Sequence, residues 1–153
     1  MATRVYRTNR EKNIFAKENM QVIVTETDYL MKVGETGLKK LLQKKLPILI
    51  PCICIQELEK LCDWDKRAYM LLALLFANPK TVIFRETNEN DIFEIPSSEV
   101  NRRSRCIVSL CCDLFANENY NKIHLYTSSY DVAKLAQAQG FESILNLTYR
   151  DSW

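Results

Sequence analysis

A doubly wound α/β sandwich around a central, mainly parallel sheet is the fold this sequence predicts. Three observations carry that expectation. Short apolar, β-branched runs recur along the chain, each is followed by a stretch of helical periodicity, and the longest, PILIPCICI, is apolar throughout, as a strand covered on both faces must be. The 153 residues, 47% hydrophobic and 26% charged, match one ordinary domain with a core of its own.

Gln21 to Thr25 (QVIVT) reads as the first buried strand, followed by the polar group Glu26, Thr27 and Asp28. The chain then turns helical around Tyr29 to Met31. From Gly37, Leu38, Leu41 and Leu42 set against Lys39, Lys40, Lys44 and Lys45 describe a short amphipathic helix. The run from Pro47 to Ile55 is the second central strand. Gln56 to Asp63 and Arg67 to Ala77 follow as helices, the latter with an almost wholly apolar middle buried against the sheet. Thr81 to Phe84 is a third strand, and Glu86 to Ser98, with four acidic residues and Pro96, a loop. Asn101 to Phe115 is a helix, Ile123 to Tyr126 a fourth strand, Tyr130 to Gln139 a helix with Gly140 at its C′ position, and Ser143 to Leu147 a last strand. Residues 1–19, with Arg4, Arg7, Arg10, Lys12 and Lys17, form a basic arm ahead of the domain at 20–153.

The counts exclude several function classes. A single histidine, His124, cannot supply a site needing two or three imidazoles, and three glycines form neither GxGxxG nor a Walker A loop, so no nucleotide cofactor is expected. A net charge of +2 means that any nucleic-acid affinity must come from local clustering of basic side chains. Cys52, Cys54, Cys106, Cys111 and Cys112 lie in apolar runs and read as reduced core residues, and neither the CxC pair nor the adjacent pair has the spacing that wraps zinc. That usage, with no apolar stretch of membrane-spanning or signal-peptide length, points to an intracellular, non-membrane protein.

In doubly wound sheets ligands bind beyond the carboxyl ends of the strands. The residues there are Glu26, Thr27 and Asp28 after strand one, Glu57 after strand two, Asn101 to Arg105 at the start of the later helix, and Thr127, Ser128 and Ser129 after strand four. In VIVTETDYL (22–30), ILIPCICIQELEKL (48–61), SRCIVSLCCDL (104–114) and IHLYTSSYDVAKLAQAQGF (123–141) the chain resembles the PIN (PilT N-terminus) domain family, metal-dependent nucleases. The four segments stand in the family's order and span nearly everything after residue 20. They are closest in character to eukaryotic members of RNA surveillance and nuclear messenger-RNA quality control.

The resemblance implies three or four carboxylates holding Mg²⁺ or Mn²⁺, which activate water against a phosphodiester. Carried over position by position, the first acid falls on Glu26, with Asp28 two residues on, and the second on Glu57. The third falls on Arg105, beside Ser104, and the fourth on Ser129, so two acids are lost. The expectation is a vestigial site in which Arg105 pairs with Glu57 or Glu26 and its guanidinium takes the place of the metal. Asp113, eight residues beyond Arg105 and about 12 Å along the helix, is too far to help. Glu59 should point away from Glu57, and Asp131 is the sole substitute ligand, unless it merely compensates a helix N-terminus.

Three functions compete: a catalytically degenerate PIN-like module without nuclease activity that binds or scaffolds in RNA metabolism; an active Mg- or Mn-dependent endoribonuclease using Glu26, Asp28, Glu57 and Asp131; and a domain that binds protein alone. For RNA, Lys39, Lys40, Lys44, Lys45, Arg102 and Arg103, joined by Arg105, form an expected basic rim, with Tyr126, Tyr130 and Trp64 to stack bases. For protein, the surplus apolar side chains of Arg67 to Ala77, and Tyr149 with Trp153, suit a homodimer or a larger complex. The location expected is nucleus or cytoplasm, with the nucleus favoured.

Overall fold

The computed structural model describes residues 20–87, 102–118, 120–141 and 143–150. The expected basic arm at 1–19, nearly all of the expected acidic loop and Trp153 lie outside the described residues. The described chain is an α/β sandwich. Its elements are β1 (Gln21–Thr25), α1 (Thr27–Leu42), β2 (Ile48–Pro51), α2 (Cys52–Leu61), α3 (Lys66–Phe76), β3 (Val82–Arg85), α4 (Arg102–Asn117), β4 (Lys122–Thr127), α5 (Tyr130–Gln137) and β5 (Leu145–Tyr149). The five strands are all parallel, in the order β3-β2-β1-β4-β5. Helices α1, α2 and α3 pack on one another, and α4 packs on α5, giving the two helical layers of a doubly wound sandwich.

The central strands are apolar because both faces are covered: Val22, Ile23 and Val24 of β1 and Ile48, Leu49 and Ile50 of β2 are all buried. Leu30, Leu38, Leu58, Leu71 and Leu75 close one layer of the core, and Ile107, Leu110 and Leu114 the other. Strand order reverses at β1, which pairs with β2 on one side and β4 on the other. The carboxyl ends of β1 and β4 therefore flank the topological switch point, where doubly wound sheets place their ligands.

Several boundaries differ from the sequence reading, β5 among them, two residues later than its expected 143–147 span. The run PILIPCICI is a strand only as far as Pro51. Cys52 to Ile55 form the first turns of α2, and Cys54, Ile55 and Leu58 turn inward at helical spacing. An unbroken apolar run has no periodicity with which to separate strand from buried helix. The expected helical turn near Tyr29 and the helix from Gly37 are one element, α1, kinked where Gly34 takes φ 67°. Gly140, at φ 82°, ends α5 as expected, though two residues beyond its Ala138 cap rather than one. All six cysteines are free thiols; four are buried, and Cys52 and Cys62 are half-buried. Burial pushes the Cys54 thiol up to about 12, so it stays protonated at neutral pH. Among the described residues no helix is long and apolar enough to cross a membrane.

His124 ties three strands together across the sheet. Its Nε2 lies 2.7 Å from Gln21 Oε1 of β1 and its Nδ1 lies 2.9 Å from Asn146 Nδ2 of β5. An amide nitrogen only donates, so Nδ1 accepts and Nε2–H donates to Gln21, which is the neutral imidazole. Burial first, then Lys122 and Lys44, hold its pKa below 6.5. The unfolded chain then binds a proton more readily than the folded one, so this contribution to stability is complete above pH 6.5 and is lost as pH falls below it. The expected outcome is a melting temperature that declines between about pH 7.5 and pH 5.5, with a flatter decline in His124→Gln; equal slopes would place the titration elsewhere.

Candidate functional site

Glu26, the first residue after β1, is a fully buried carboxylate at the switch point. Such a group is tolerated only where hydrogen bonds and opposite charge replace its water. Five donors do so. Glu26 caps α1, with Oε1 accepting from Asp28 N–H at 2.8 Å and Oε2 from Tyr29 N–H at 3.3 Å. From the end of β4, Thr127 Oγ1 donates to Oε2 at 2.8 Å and Ser128 N–H at 3.1 Å. The fifth donor is Arg103 Nη2, 2.5 Å from Oε1. A carboxylate has about four lone-pair positions, so no side of Glu26 is left for a metal ion.

Arg103 rises from the first turn of α4 into the middle of the acidic cluster. Its Nε donates to Glu57 Oε2 at 2.6 Å, its Nη2 reaches Glu26, and its Nη1 stands 3.5 Å from Asp28 Oδ2. Glu57 comes from α2 and is held from its other side by Thr27 Oγ1, which lies 2.5 Å from Oε1 and 3.2 Å from the carbonyl of Cys54. Burial by itself would lower the Arg103 pKa, but the charge of Glu26 and the hydrogen bonds that Arg103 donates to Glu26 and Glu57 raise it above its ordinary value. The guanidinium is permanently charged, and its planar fork bridges two carboxylates as one compact sphere cannot.

Asp28 behaves differently. Its side chain is 52% exposed and lines an open cleft with Met31, Lys32, Arg67 and Ser128. Burial and the neighbouring charge of Glu26 raise its pKa, and Arg103 only partly opposes them. Tyr126, half-buried, packs on Tyr29 with ring centroids 5.4 Å apart, while Tyr130 is exposed and meets Tyr149 edge-on. Trp64 is exposed.

The structure thus joins Glu26, Asp28 and Glu57, as the sequence reading anticipated, but with a different arginine. Arg105 is not in the cluster: two residues along a helix is a rotation of about 200°, which turns it away from the face that Arg103 presents. It is half-buried, and its buried Nη1 has no hydrogen-bond partner among the described residues. The signal for Arg103 was present in its neighbourhood to Arg105; only the helical phase distinguishes them. Ser129 is not in the cluster either. Its Oγ caps α5 by accepting from Val132 N–H at 3.3 Å, and the groups that reach Glu26 are Thr127 Oγ1 and Ser128 N–H. Asp131 lies in the first turn of α5, where its charge meets the helix N-terminus, and among the described residues no hydrogen bond or ion pair links it to Glu26, Glu57 or Arg103.

The expected basic rim divides in two. Lys39, Lys40, Lys44 and Lys45 are exposed at the far end of α1, Lys39 pairing with Glu35 at 3.3 Å. Lys39 lies beyond the Gly34 kink, on the part of α1 away from its Thr27 end, whereas Arg102 and Arg103 start α4. Arg103 is withdrawn from any rim by its two carboxylates, and Arg102 is exposed. Among the described residues no group of three or more His, Cys, Asp and Glu side chains is arranged to hold a metal ion. The residues at the switch point do not fit Mg²⁺ or Mn²⁺, because a fixed cation already lies between Glu26 and Glu57. Comparison of the chain with family models, curated proteins and solved structures finds no match.

Two substitutions separate the roles within the cluster. Arg103→Met leaves Glu26 and Glu57 facing each other without a counter-charge and is expected to cost about 3–5 kcal/mol by urea unfolding. Asp28→Asn has the opposite sign. A carboxyl with a raised folded pKa favours folding while protonated and loses that advantage as pH rises above its ordinary 3.8, so the charge is a liability at pH 7 and the amide raises the melting temperature there. A drop in Asp28→Asn would mean that the Arg103 ion pair outweighs the repulsion from Glu26.

Proposed function

We propose that the chain is a catalytically degenerate PIN-like domain, a pseudo-nuclease that serves as a protein-interaction or RNA-binding scaffold in RNA metabolism. One observation carries the reading: at the switch point, where the family resemblance implies a metal, Arg103 bridges Glu26 and Glu57. A nuclease of this class needs carboxylate oxygens free to bind a divalent ion and an ion free to polarise water. Glu26 has its oxygens engaged by five donors, and Glu57 has one engaged by Thr27 and the other by Arg103. The positions of the two remaining acids hold Arg105 and Ser129, and Asp131 stands apart from the cluster.

What survives is a surface suited to binding. The cleft at Asp28 and Ser128 is flanked by Lys32 and Arg67, and Tyr130 and Tyr149 present aromatic surface at the same ends of β4 and β5. On this reading the protein acts inside the cell, in the nucleus by preference, with no metal or nucleotide cofactor. The alternative is an endoribonuclease using Mg²⁺ or Mn²⁺ at Glu26, Asp28, Glu57 and Asp131, which would require Arg103 to swing out.

The test is cleavage of a labelled single-stranded RNA with Mn²⁺ or Mg²⁺, beside calorimetric titration of each metal. The expected result is no cutting and no heat of metal binding. Metal-dependent cutting that Glu57→Gln abolishes would overturn the pseudo-nuclease in favour of the rearranged enzyme.

A further inference from the structure

We infer that the amino-terminal end of the sheet, where Lys44 and Lys122 meet the basic arm at Met20, is the surface on which this chain holds the phosphate backbone of an RNA strand. The inference rests on the RNA-binding branch of the function proposed above, and it places that binding at the end of the sheet opposite the acidic cluster. Strand β4 alternates, with Ile123, Leu125 and Thr127 buried on one face and Lys122, His124 and Tyr126 half-buried on the other. Tyr126 packs on Tyr29, so this second face is the one that α1 covers. On β1 the same face carries Ile23, fully buried, while on β5 it carries Asn146, exposed, and Thr148, half-buried. Strands of a parallel sheet are apolar where helices lie over both faces. The polar row therefore marks where the cover of α1 ends, and it forms a ledge beside the last turn of that helix.

Lysines collect on this ledge. Lys122 opens β4, Lys44 follows the end of α1, and the charges of both reach His124. Lys40, in the last turn of α1, and Lys45 are exposed, and Lys45 adopts φ 58°, a left-handed conformation that glycine takes without strain. Among the described residues no ion pair neutralises any of the four. A helix C-terminus attracts cations, which accounts for Lys40 but not for Lys122 at the start of a strand. Gln21 pairs in register with Lys122, and Asn121 N–H donates to the Met20 carbonyl at 2.9 Å, so residues 1–19 join the fold beside Lys122. They hold Arg4, Arg7, Arg10, Lys12 and Lys17 against Glu11 and Glu18. Lys17, three residues before Met20, is at most about 11 Å from it along the chain.

Charge and polarity specify the occupant. At the carboxyl end Glu26, Asp28, Glu57 and Asp65 outnumber Arg103, Lys32 and Arg67, so no positive surplus draws a polyanion there. At the amino end the surplus is positive and the surface polar, the combination that marks nucleic-acid interfaces. Interfaces between proteins are depleted in lysine and built on apolar centres, and helices that lie on membranes need an apolar face. The large exposed apolar side chains of the described residues lie elsewhere: on α3 and β3, in the turn before α3, and around the carboxyl ends of β4 and β5.

The experiment is fluorescence anisotropy of labelled single-stranded U-rich and A-rich RNA with the full chain across a salt series, with thermal melting as the control for folding. The wild type should bind both, with affinity falling steeply as salt rises. Each phosphate contact on a single strand contributes about 0.7 to the slope of log affinity against log salt. Lys44→Gln with Lys122→Gln should therefore weaken binding about tenfold on both RNAs alike and lower the slope by about 1.4, Arg7→Gln with Arg10→Gln should lower it further, and Lys134→Gln, on α5, should change neither. Should the Lys122 variant melt early, Lys40→Gln with Lys44→Gln, both exposed, decides. Binding lost in Lys32→Gln with Arg67→Gln and unchanged in the ledge variants overturns the inference while sustaining RNA as a partner. No RNA binding, or polyglutamate bound as tightly as RNA, overturns both, whereas the pseudo-nuclease itself stands or falls by cleavage and metal titration.

Discussion

The buried carboxylate of Glu26 is the constraint around which the carboxyl end of this sheet is organised. A charge removed entirely from water must recover its hydration from the protein, and here the replacements come from three separate elements: the first turn of α1, the end of β4 and the start of α4. Glu57 adds a fourth, α2. The two helical layers lie on opposite faces of the sheet, so Arg103 and Glu57 close over its end and fix how α4 sits relative to α1 and α2. A local electrostatic requirement thereby becomes a tertiary one.

The same network decides what the site can hold. A divalent ion and a guanidinium both answer crowded carboxylates, but on different terms. Mg²⁺ demands near-octahedral oxygen geometry and keeps several of its waters, which need room and unengaged lone pairs. The guanidinium brings N–H donors in a plane, needs no water and takes up the lone pairs itself. Asp28, at the edge of the cluster, remains half in solvent and gains least from Arg103. The cluster thus has a closed interior and an open lip, and the lip faces the cleft beside Lys32 and Arg67.

Most of the architecture was legible in the sequence because strand and helix periodicities alternate cleanly. Both β1 and β4 lie within a residue of their expected spans, and Glu26, Asp28 and Glu57 follow the strands that bring them together. The errors arise where one-dimensional pattern carries no phase. PCICI is apolar whichever way it is wound, and only the proline start and the inward turn of Cys54, Ile55 and Leu58 make it helical. Arg103 and Arg105 are equivalent in a list of basic residues, yet about 200° of helix separates a buried bridge from a side chain aimed elsewhere. Glu26 was read, by resemblance, as the first acid of a vestigial site; that it caps α1 was missed because Glu is not among the preferred N-cap residues.

The acidic cluster and the fold around it are held by one and the same side chain, Arg103. Three clustered carboxylates without a cation repel one another, so gathering them at the end of the sheet requires a permanent positive charge among them. Arg103 supplies that charge, while Arg105 and Ser129 lie outside the cluster. Thr127 and Ser128 anchor Glu26 to β4 and hold the switch point shut. A metal could enter only by displacing hydrogen bonds from α1, α4 and β4 together. One charge thus makes the surrounding polar contacts structural, and they in turn hold that charge in place.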